Sequence, residues 1–335
     1  IDANNHVYFG THNNYIVCVD PDTKKQLWRY KAGGTVISPP LIGPNTTIKF
    51  LANDGKLYSL SGNGEFPPIK GIPEVQMLML NEKHTGKSSY EGPTTTTIPT
   101  VNSFTQNVPS GNLYILPSIA ISADGKHIYL GGSNGLLYSL NTVSYELDWS
   151  ANLVTTNYSR NLVNSNNIFT SPLISSLDGT IYVGSYNGYL HAVDFSGNKK
   201  WSYEVDYPFQ SSPIIDTNGT IFFGSGEKMY AIRDNNVYGN NYWLTPFSVD
   251  GKILTSPAIS NDNDTLYFGS DYGSIYALDR TTGEKRWKFK LDIDQLYTTA
   301  SIDSSNNVII GSTKNSNMVG TLLYLDGSNN SMNDL

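Results

Sequence analysis

The residues that could perform chemistry in this chain are few and scattered. The five histidines lie far apart, and none has a metal-ligand spacing to a carboxylate or to the cysteine: His6, His12, His84, His127 and His191. The single Cys18 stands two residues before Asp20 in an apolar segment, where we expect a small buried side chain. Asp292 and Asp294 could bind Ca²⁺, but two carboxylates without a Gly-centred loop favour a solvated loop. We therefore predict no catalytic, cofactor-binding or metal-binding residue.

The composition narrows the choice of partners. Charged residues make up 15% of the 335 residues, and the formal net charge is −7 with a pI near 5.2. Domains that bind nucleic acid are generally basic, so we do not expect a nucleic-acid partner. No run of 18 or more apolar residues occurs, so the sequence predicts no transmembrane segment. A single cysteine permits no intrachain disulfide, so the fold must be held by packing.

The elements that position these residues follow a repeat. A Ser-Pro-x-Ile segment, an apolar strand ending in Gly, a Tyr-x-Leu-Asp strand and then a turn and a Trp recur about every 40 to 50 residues. The clearest copy extends from Ser256-Pro257 through Gly269 and Asp279 to Trp287. Four short strands at this period are typical of a β-propeller, and Asn-Gly or Asp-Gly pairs supply its hairpin turns. The sequence therefore predicts an all-β propeller of four-stranded blades.

The Gly that ends the second strand marks the blades. It recurs at Gly10, Gly131 or Gly132, Gly184, Gly224, Gly269 and Gly311, with Ala52 in its place in the second copy. Seven blades are the main prediction, within one domain that covers residues 1–335. The spacing from Ala52 to Gly131 is longer by about one repeat. We interpret residues 65–112 as a long irregular insertion, with an eighth blade near Val75 to Leu80 as the alternative.

The turn and outer strand of each copy carry a second motif. It reads Ala277-x-Asp279-x-x-Thr282-Gly283-x-x-x-Trp287, and blade one keeps it as Cys18-x-Asp20 with Trp28. Blade four keeps Asp194 and Trp201, and weaker copies hold Trp149 and Trp243, whereas blades two and seven have no Trp. We expect each indole to cover a small residue of the next blade and each Asp to close a turn.

This motif resembles the tryptophan-docking motif of the PQQ-like, or quinoprotein-type, propeller family. The resemblance covers the whole chain apart from the insertion. It is greatest to the noncatalytic branch that includes the periplasmic outer-membrane assembly lipoprotein. Quinoprotein dehydrogenases of the family hold PQQ over Ca²⁺ with an Asp base, and we find no matching Glu, Asn and Asp set. The resemblance thus implies no cofactor, with PQQ and Ca²⁺ as the alternative.

Function should lie where the copies differ. We expect a noncatalytic scaffold that binds other proteins through the propeller faces or through the insertion, whose apolar candidates are Met77, Met79, Tyr90 and Phe104. One alternative is a quinone-dependent dehydrogenase or a fragment of one. Another is a structural component of an extracellular or virion surface, although the five Asn-x-Ser/Thr sites are no more than chance predicts. We expect a location outside the cytoplasm.

The two ends of the chain predict incomplete blades. Ile1-Asp2 parallels Ile302-Asp303, so Ile1 resembles the tail of an inner strand. The last copy, which ends at Leu325-Asp326, is expected to lack an outer strand. Because an open ring would expose strand edges, we expect upstream residues or another chain to supply a missing strand.

Overall fold

The structure is a computed structural model that describes residues 1–36, 38–43, 47–54, 56–61, 100–105, 118–132, 134–154, 167–291, 296, 298–314, 319–326 and 332–334. Within these ranges every regular element is a strand. The strands form seven antiparallel sheets, and the fold is a seven-bladed β-propeller. We number the blades one to seven along the chain. The predicted fold class is confirmed, while the alternative eighth blade near Val75 to Leu80 lies outside the described residues.

The described residues up to Gly179 form one compact unit and those from Thr180 form another. The prediction of a single domain remains a prediction. Blades one to three and the first strand of blade four have these bounds: β1 (Val7–Gly10), β2 (Tyr15–Asp20), β3 (Lys25–Lys31); β4 (Leu41–Gly43), β5 (Thr47–Ala52), β6 (Lys56–Ser61), β7 (Thr100–Thr105); β8 (Ala120–Ile121), β9 (His127–Gly131), β10 (Leu136–Asn141), β11 (Leu147–Asn152); β12 (Leu173–Ile174).

The remaining strands continue the same order. The other three strands of blade four and the strands of blades five to seven have these bounds: β13 (Ile181–Ser185), β14 (Tyr189–Val193), β15 (Lys199–Glu204); β16 (Ile214–Ile215), β17 (Thr220–Ser225), β18 (Lys228–Asp234), β19 (Gly239–Asn241), β20 (Phe247–Ser248); β21 (Ala258–Ile259), β22 (Thr265–Gly269), β23 (Ser274–Asp279), β24 (Lys285–Lys290); β25 (Ser301–Ile302), β26 (Val308–Lys314), β27 (Val319–Leu325), β28 (Met332–Asp334). In blade five both β19 and β20 pair with β18, so its outer strand is split.

Three details correct or support the expectations from sequence. Blade seven has a fourth strand, because β28 pairs with β27 from Leu323↔Asp334 to Leu325↔Met332, so the expectation that it lacks an outer strand is wrong. Blade one has three strands among the described residues, β1 to β3, and the expectation of an incomplete first blade remains a prediction. The interval 65–112 is not irregular throughout, since β7 pairs with β6 over six residues.

Local sequence explains the hairpins and the core. Gly135 and Gly188 have φ of 79° and 87° between the second and third strands, which confirms the predicted Asn-Gly turns. Alternating strand residues are buried on both faces of the inner three strands, so the cores lie between neighbouring sheets. One such core joins Tyr8 and Trp28 of blade one to Phe50 and Tyr58 of blade two. Each blade is thus stabilised mainly by its neighbour.

Candidate interaction site

Each tryptophan stands at the end of a row of three residues across its own sheet. In blade six, Ala277 is paired with Tyr267 on one side and with Trp287 on the other, and the two rings lie 5.7 Å apart. The same row of aromatic, small and Trp residues recurs in three other blades: Tyr8-Cys18-Trp28, Tyr129-Ser139-Trp149 and Tyr182-Ala192-Trp201. In blade five Phe222 is paired with Ala231, and its ring lies 5.7 Å from that of Trp243. The middle residue must be small because the two rings converge over it.

The indoles also reach the turn of the following blade. The Trp201 Nε1 donates a hydrogen bond to Asp234 Oδ1 at 2.8 Å, and the Trp243 Nε1 donates to the carbonyl oxygen of Arg280 at 3.0 Å. A Cβ on Gly283 would lie 2.7 Å from Trp243 Cδ2. The indole therefore covers the turn glycine of the next blade, whereas the small residue beneath it belongs to its own blade. These residues join blades to one another.

The motif aspartates close the turns before the outer strands. The Asp20 Oδ1 accepts from the amides two and three residues further on, and the Asp279 Oδ1 does the same. The Asp194 Oδ1 accepts from the amides two and four residues further on. A hydrogen bond from Arg286 lowers the pKa of Asp279 to about 2, although burial opposes it. The charged carboxylate thus accepts hydrogen bonds from turn amides that have no backbone carbonyl as a partner.

Blade two replaces this apolar row with polar residues. Lys49 stands where the other rows have an aromatic ring, Ser59 is paired with it in the middle, and Asn102 of β7 is paired with Ser59 in place of the Trp. Lys49 is only 2% exposed, and its Nζ donates to Ser59 Oγ at 2.9 Å and to the Tyr145 hydroxyl at 2.8 Å. Tyr145 takes the position of Gly283 in the turn of blade three, with φ of 59°. A lysine–tyrosine contact thus occupies the place of the docked indole.

The marker glycines at the ends of the second strands make room for an apolar residue that follows the outer strand. A Cβ on Gly184 would lie 2.3 Å from Phe209 Cδ1, and one on Gly224 would lie 2.4 Å from Ile253 Cγ2. Gly10 and Gly131 have the same relationship to Val36 and Ile168. The repeat therefore needs glycine here for close approach, not for a turn.

The buried histidine and cysteine have structural environments. His191 replaces the Tyr of other third strands, and its ring nitrogens lie 2.9 Å from Ser185 Oγ and 2.8 Å from Ser202 Oγ. Both ring nitrogens thus face a serine hydroxyl, and the Ser185 hydroxyl also contacts Asn187 Oδ1. Burial lowers the pKa of His191 to about 3, and burial raises the pKa of the Cys18 thiol to about 11. The imidazole is therefore neutral and the thiol protonated.

One nucleophile-like string occurs where the fold does not support the chemistry. Gly131 to Gly135 fits the pattern Gly-x-Ser-x-Gly, but it joins β9 to β10. The nucleophile elbow of hydrolases joins a strand to a helix, which exposes the serine at the top of the sheet. In the part of the chain that the structure describes, no group of three or more His, Cys, Asp or Glu side chains could hold a metal ion. Asp292 and Asp294 lie outside that part.

The predicted partner contacts are only partly placed. Met77, Met79 and Tyr90 lie outside the described residues. Phe104 lies in β7, paired with Leu57 of β6, and is therefore part of a blade and not of an irregular excursion. The structure does not bring these four candidates together into a described site.

Exposed apolar side chains that the sequence reasoning missed lie in the turns before the outer strands. Val143 in blade three is 82% exposed. In blade five, Val237 and Tyr238 are 71% and 55% exposed. The position of each one in its turn is counted from the motif Asp or its replacement Asn141, so an alignment of the copies at that residue would have located these apolar residues but not their exposure. Exposed apolar residues at the tips of rigid turns are suited to binding another protein.

The family described as outer membrane protein assembly factor BamB matches residues 1–243 of the 335. The chain belongs to this family. An assembly factor BamB from Yersinia pestis is 24% identical over 235 residues, which are 61% of this chain and 52% of the relative. One from Shewanella oneidensis is 20% identical over 300 residues, 88% of this chain and 64% of the relative. The chain thus spans between about half and under two thirds of these relatives.

Solved structures agree on the fold. BamB from Moraxella catarrhalis has a TM-score of 0.65 at 15% identity and covers 95% of this chain and 81% of its own. Sqt1 from Saccharomyces cerevisiae has a TM-score of 0.68 at 13% identity, with coverage of 98% and 81%. At these identities the likeness concerns the fold alone. The predicted PQQ-like, BamB-type recognition is confirmed by the family match.

One relative is named as an enzyme. Lupanine 17-hydroxylase [cytochrome c] from a Pseudomonas species is 24% identical over 135 residues, which are 40% of this chain and 18% of the enzyme. This match covers less than half of either protein. Across the described residues, no helix has the length and apolar character needed to cross a membrane.

Proposed function

We propose that this chain is a noncatalytic propeller that binds other proteins and acts as a scaffold or assembly component outside the cytoplasm. The observation that carries the proposal is the match of residues 1–243 to a family named for outer membrane protein assembly. The longer BamB relatives are named for the same role. No cofactor is part of the proposal, because the rows that define the blades use their aromatic and acidic residues for packing and turns.

The turns before the outer strands support this proposal. Their ends are fixed by the motif Asp and by the neighbouring indole, as Asp234 shows in accepting from Trp201 Nε1. Val237 and Tyr238 follow Asp234 within the same turn and are exposed. A rigid turn loses little conformational entropy when it binds, so its apolar side chains contribute more of their burial energy to affinity.

The test is recovery of a bound protein from cells that naturally express the chain, after mild cross-linking. The variant Val237→Ser with Tyr238→Ser should reduce recovery of the partner by about tenfold. Leu244→Ser is the matched control, because Leu244 is also apolar and exposed but lies between the two halves of the split outer strand. Absence of any partner, together with dye reduction on addition of PQQ and Ca²⁺, would contradict the proposal and favour a dehydrogenase.

A further inference from the structure

The Asn-Gly pairs are chemically unstable links in this chain. Four occur, at Asn63, Asn134, Asn187 and Asn218, and the first lies outside the described residues. The backbone nitrogen of the glycine can attack the side-chain carbonyl carbon of the asparagine, because no Cβ hinders its approach. A new C–N bond then closes a succinimide ring, and the side-chain nitrogen leaves as ammonia with the amide proton. Water opens the ring to aspartate or isoaspartate, so asparagine is thermolabile.

The attacking nitrogens of the three described pairs have the same surroundings. Gly135, Gly188 and Gly219 have φ of 79°, 87° and 80°. Each of their amides donates to the carbonyl oxygen three residues back, at 3.2, 3.1 and 3.0 Å respectively. Differences in reactivity among the pairs are therefore expected to come from the asparagine side chains.

The side chains of two of these asparagines are restrained. Asn134 Nδ2 donates to the Tyr138 hydroxyl at 2.6 Å, and Asn134 Oδ1 accepts from the amide of Leu136 at 3.2 Å. Asn187 is 6% exposed, and its Oδ1 contacts the Ser185 hydroxyl. Each side chain must leave these contacts before its carbonyl carbon can turn toward the next backbone nitrogen. The loss of two hydrogen bonds should slow the reaction at Asn134 by about thirtyfold.

The side chain of Asn218 has neither restraint. Asn218 is exposed in the turn between β16 and β17. Its backbone amide donates to Asp216 Oδ1 at 2.9 Å, whereas its side-chain amide has no hydrogen bond within the described part of the chain. We propose that Asn218 is a modification site, at which the amide converts spontaneously to the carboxylate of aspartate or isoaspartate. This inference is independent of the proposed function.

The isoaspartate product should change the junction of blades five and six. Asp216 Oδ1 accepts from the amides of Asn218 and Thr220, at 2.9 and 2.8 Å. Its other oxygen contacts Arg280 of blade six in a buried ion pair. Isoaspartate lengthens the main chain by one carbon between the two amides, so both can no longer reach the same oxygen. The modification therefore loosens the turn that holds the partner of Arg280.

The test uses the whole chain, purified from cells that naturally express it and incubated in mildly alkaline heavy-oxygen water, which labels each new carboxylate. Peptide mass spectrometry should find labelling at Asn218 at least about tenfold faster than at Asn134 and Asn187. In urea the rates should converge, because the three pairs then differ only in flanking sequence. Equal rates in the folded chain would overturn the inference. A glycan on Asn218, which begins an Asn-Gly-Thr site, would overturn it as well.

A substitution tests whether side-chain restraint sets the rates. Tyr138→Phe removes the hydroxyl that holds Asn134, so labelling at Asn134 should become about fivefold faster while labelling at Asn218 is unchanged. Tyr276→Phe is the matched control, because Tyr276 has the same place in blade six, which has no Asn-Gly pair. Thermal unfolding checks that both variants fold. Acceleration at Asn134 in both variants, or in neither, would contradict the proposed cause.

The consequence for blades five and six has its own measurement. The melting temperature of the parent chain should fall during incubation in step with the isoaspartate content at Asn218. Asn218→Ser has no side-chain amide to lose, so its melting temperature should stay constant under the same conditions. Complete conversion of Asn218 with an unchanged melting curve would show that the turn is not loosened.

Discussion

The indole of Trp243 lies against Gly283, so close that a Cβ on the glycine would come within 2.7 Å of the indole Cδ2. Gly283 also has φ of 77°, a conformation unfavourable to side chains. We expect Gly283→Ala to lower the free energy of unfolding by about 3 kcal/mol, because a steric clash adds to the backbone cost. Urea unfolding measures the change.

The control for that prediction is Gly179→Ala. Gly179 has a similar φ of 72°, and a Cβ there would meet no atom within 4 Å. This variant should lose only the backbone cost, about 1 kcal/mol. Equal losses in the two variants would show that the contact with Trp243 does not matter for stability.

The contact of Lys49 with Tyr145 is expected to add to the apolar core in stabilising blade two against blade three. Tyr145→Phe removes one hydrogen bond from a buried ammonium and should cost about 2 kcal/mol. The double variant Lys49→Met with Tyr145→Phe should recover part of this loss, since it also removes the buried charge. Tyr238→Phe, at an exposed tyrosine, is the control. Additive losses from the two positions would contradict the coupling.

His191 should make stability depend on pH. Burial lowers its pKa in the folded chain from 6.5 to about 3, so the unfolded chain binds a proton first as pH falls. The contribution of His191 to the free energy of unfolding should therefore be greatest above pH 6.5. Below that pH it should decline by up to about 1.4 kcal/mol per pH unit. In His191→Gln this decline should disappear between neutral pH and a pH of about 5. His12→Gln, at an exposed histidine, should retain it.

Asp250 should cause a second decrease in the free energy of unfolding, at lower pH. Burial opposes its ionisation, but hydrogen bonds from Lys288, Ser274 and Ser270 hold its pKa well below the ordinary 3.8. Its contribution is therefore present above pH 3.8 and is lost as pH falls further. Asp250→Asn should be less stable than the parent at neutral pH and less sensitive below that value. An unchanged acid limb would exclude this role.

Much of the fold could be predicted from the repeat, because each copy carries its own local signals. Asn134-Gly135 and Asn187-Gly188 specify hairpins wherever they occur. The number of blades follows from counting Gly10 and its equivalents. Strands β7 and β28 were not foreseen, since neither contains the Trp that marks an outer strand elsewhere. Strand β7 is identified only by its pairing with β6, which is distant from it in the sequence. Strand β28 is identified only by its pairing with β27, whose sequence resembles that of many other strands.

The candidate site was harder to predict for a related reason. The sequence shows that Lys49 departs from the aromatic residues of other copies, but not that Tyr145 of another blade receives its ammonium group. That contact joins residues 96 positions apart and depends on how two sheets pack. Exposure of Val237 likewise depends on which side of a turn faces solvent. Local propensity does not contain this information.

The rows of aromatic, small and Trp residues have a consequence for how unfolding can be observed. The five tryptophans of the chain are distributed one to a sheet, in blades one, three, four, five and six. Each Trp packs in its own blade, and Trp201 and Trp243 also donate hydrogen bonds to the next blade. Variants that retain a single Trp would therefore report fluorescence from one inter-sheet seam at a time. Coincident curves would reveal a concerted loss of structure, and staggered curves would reveal the order in which the seams open.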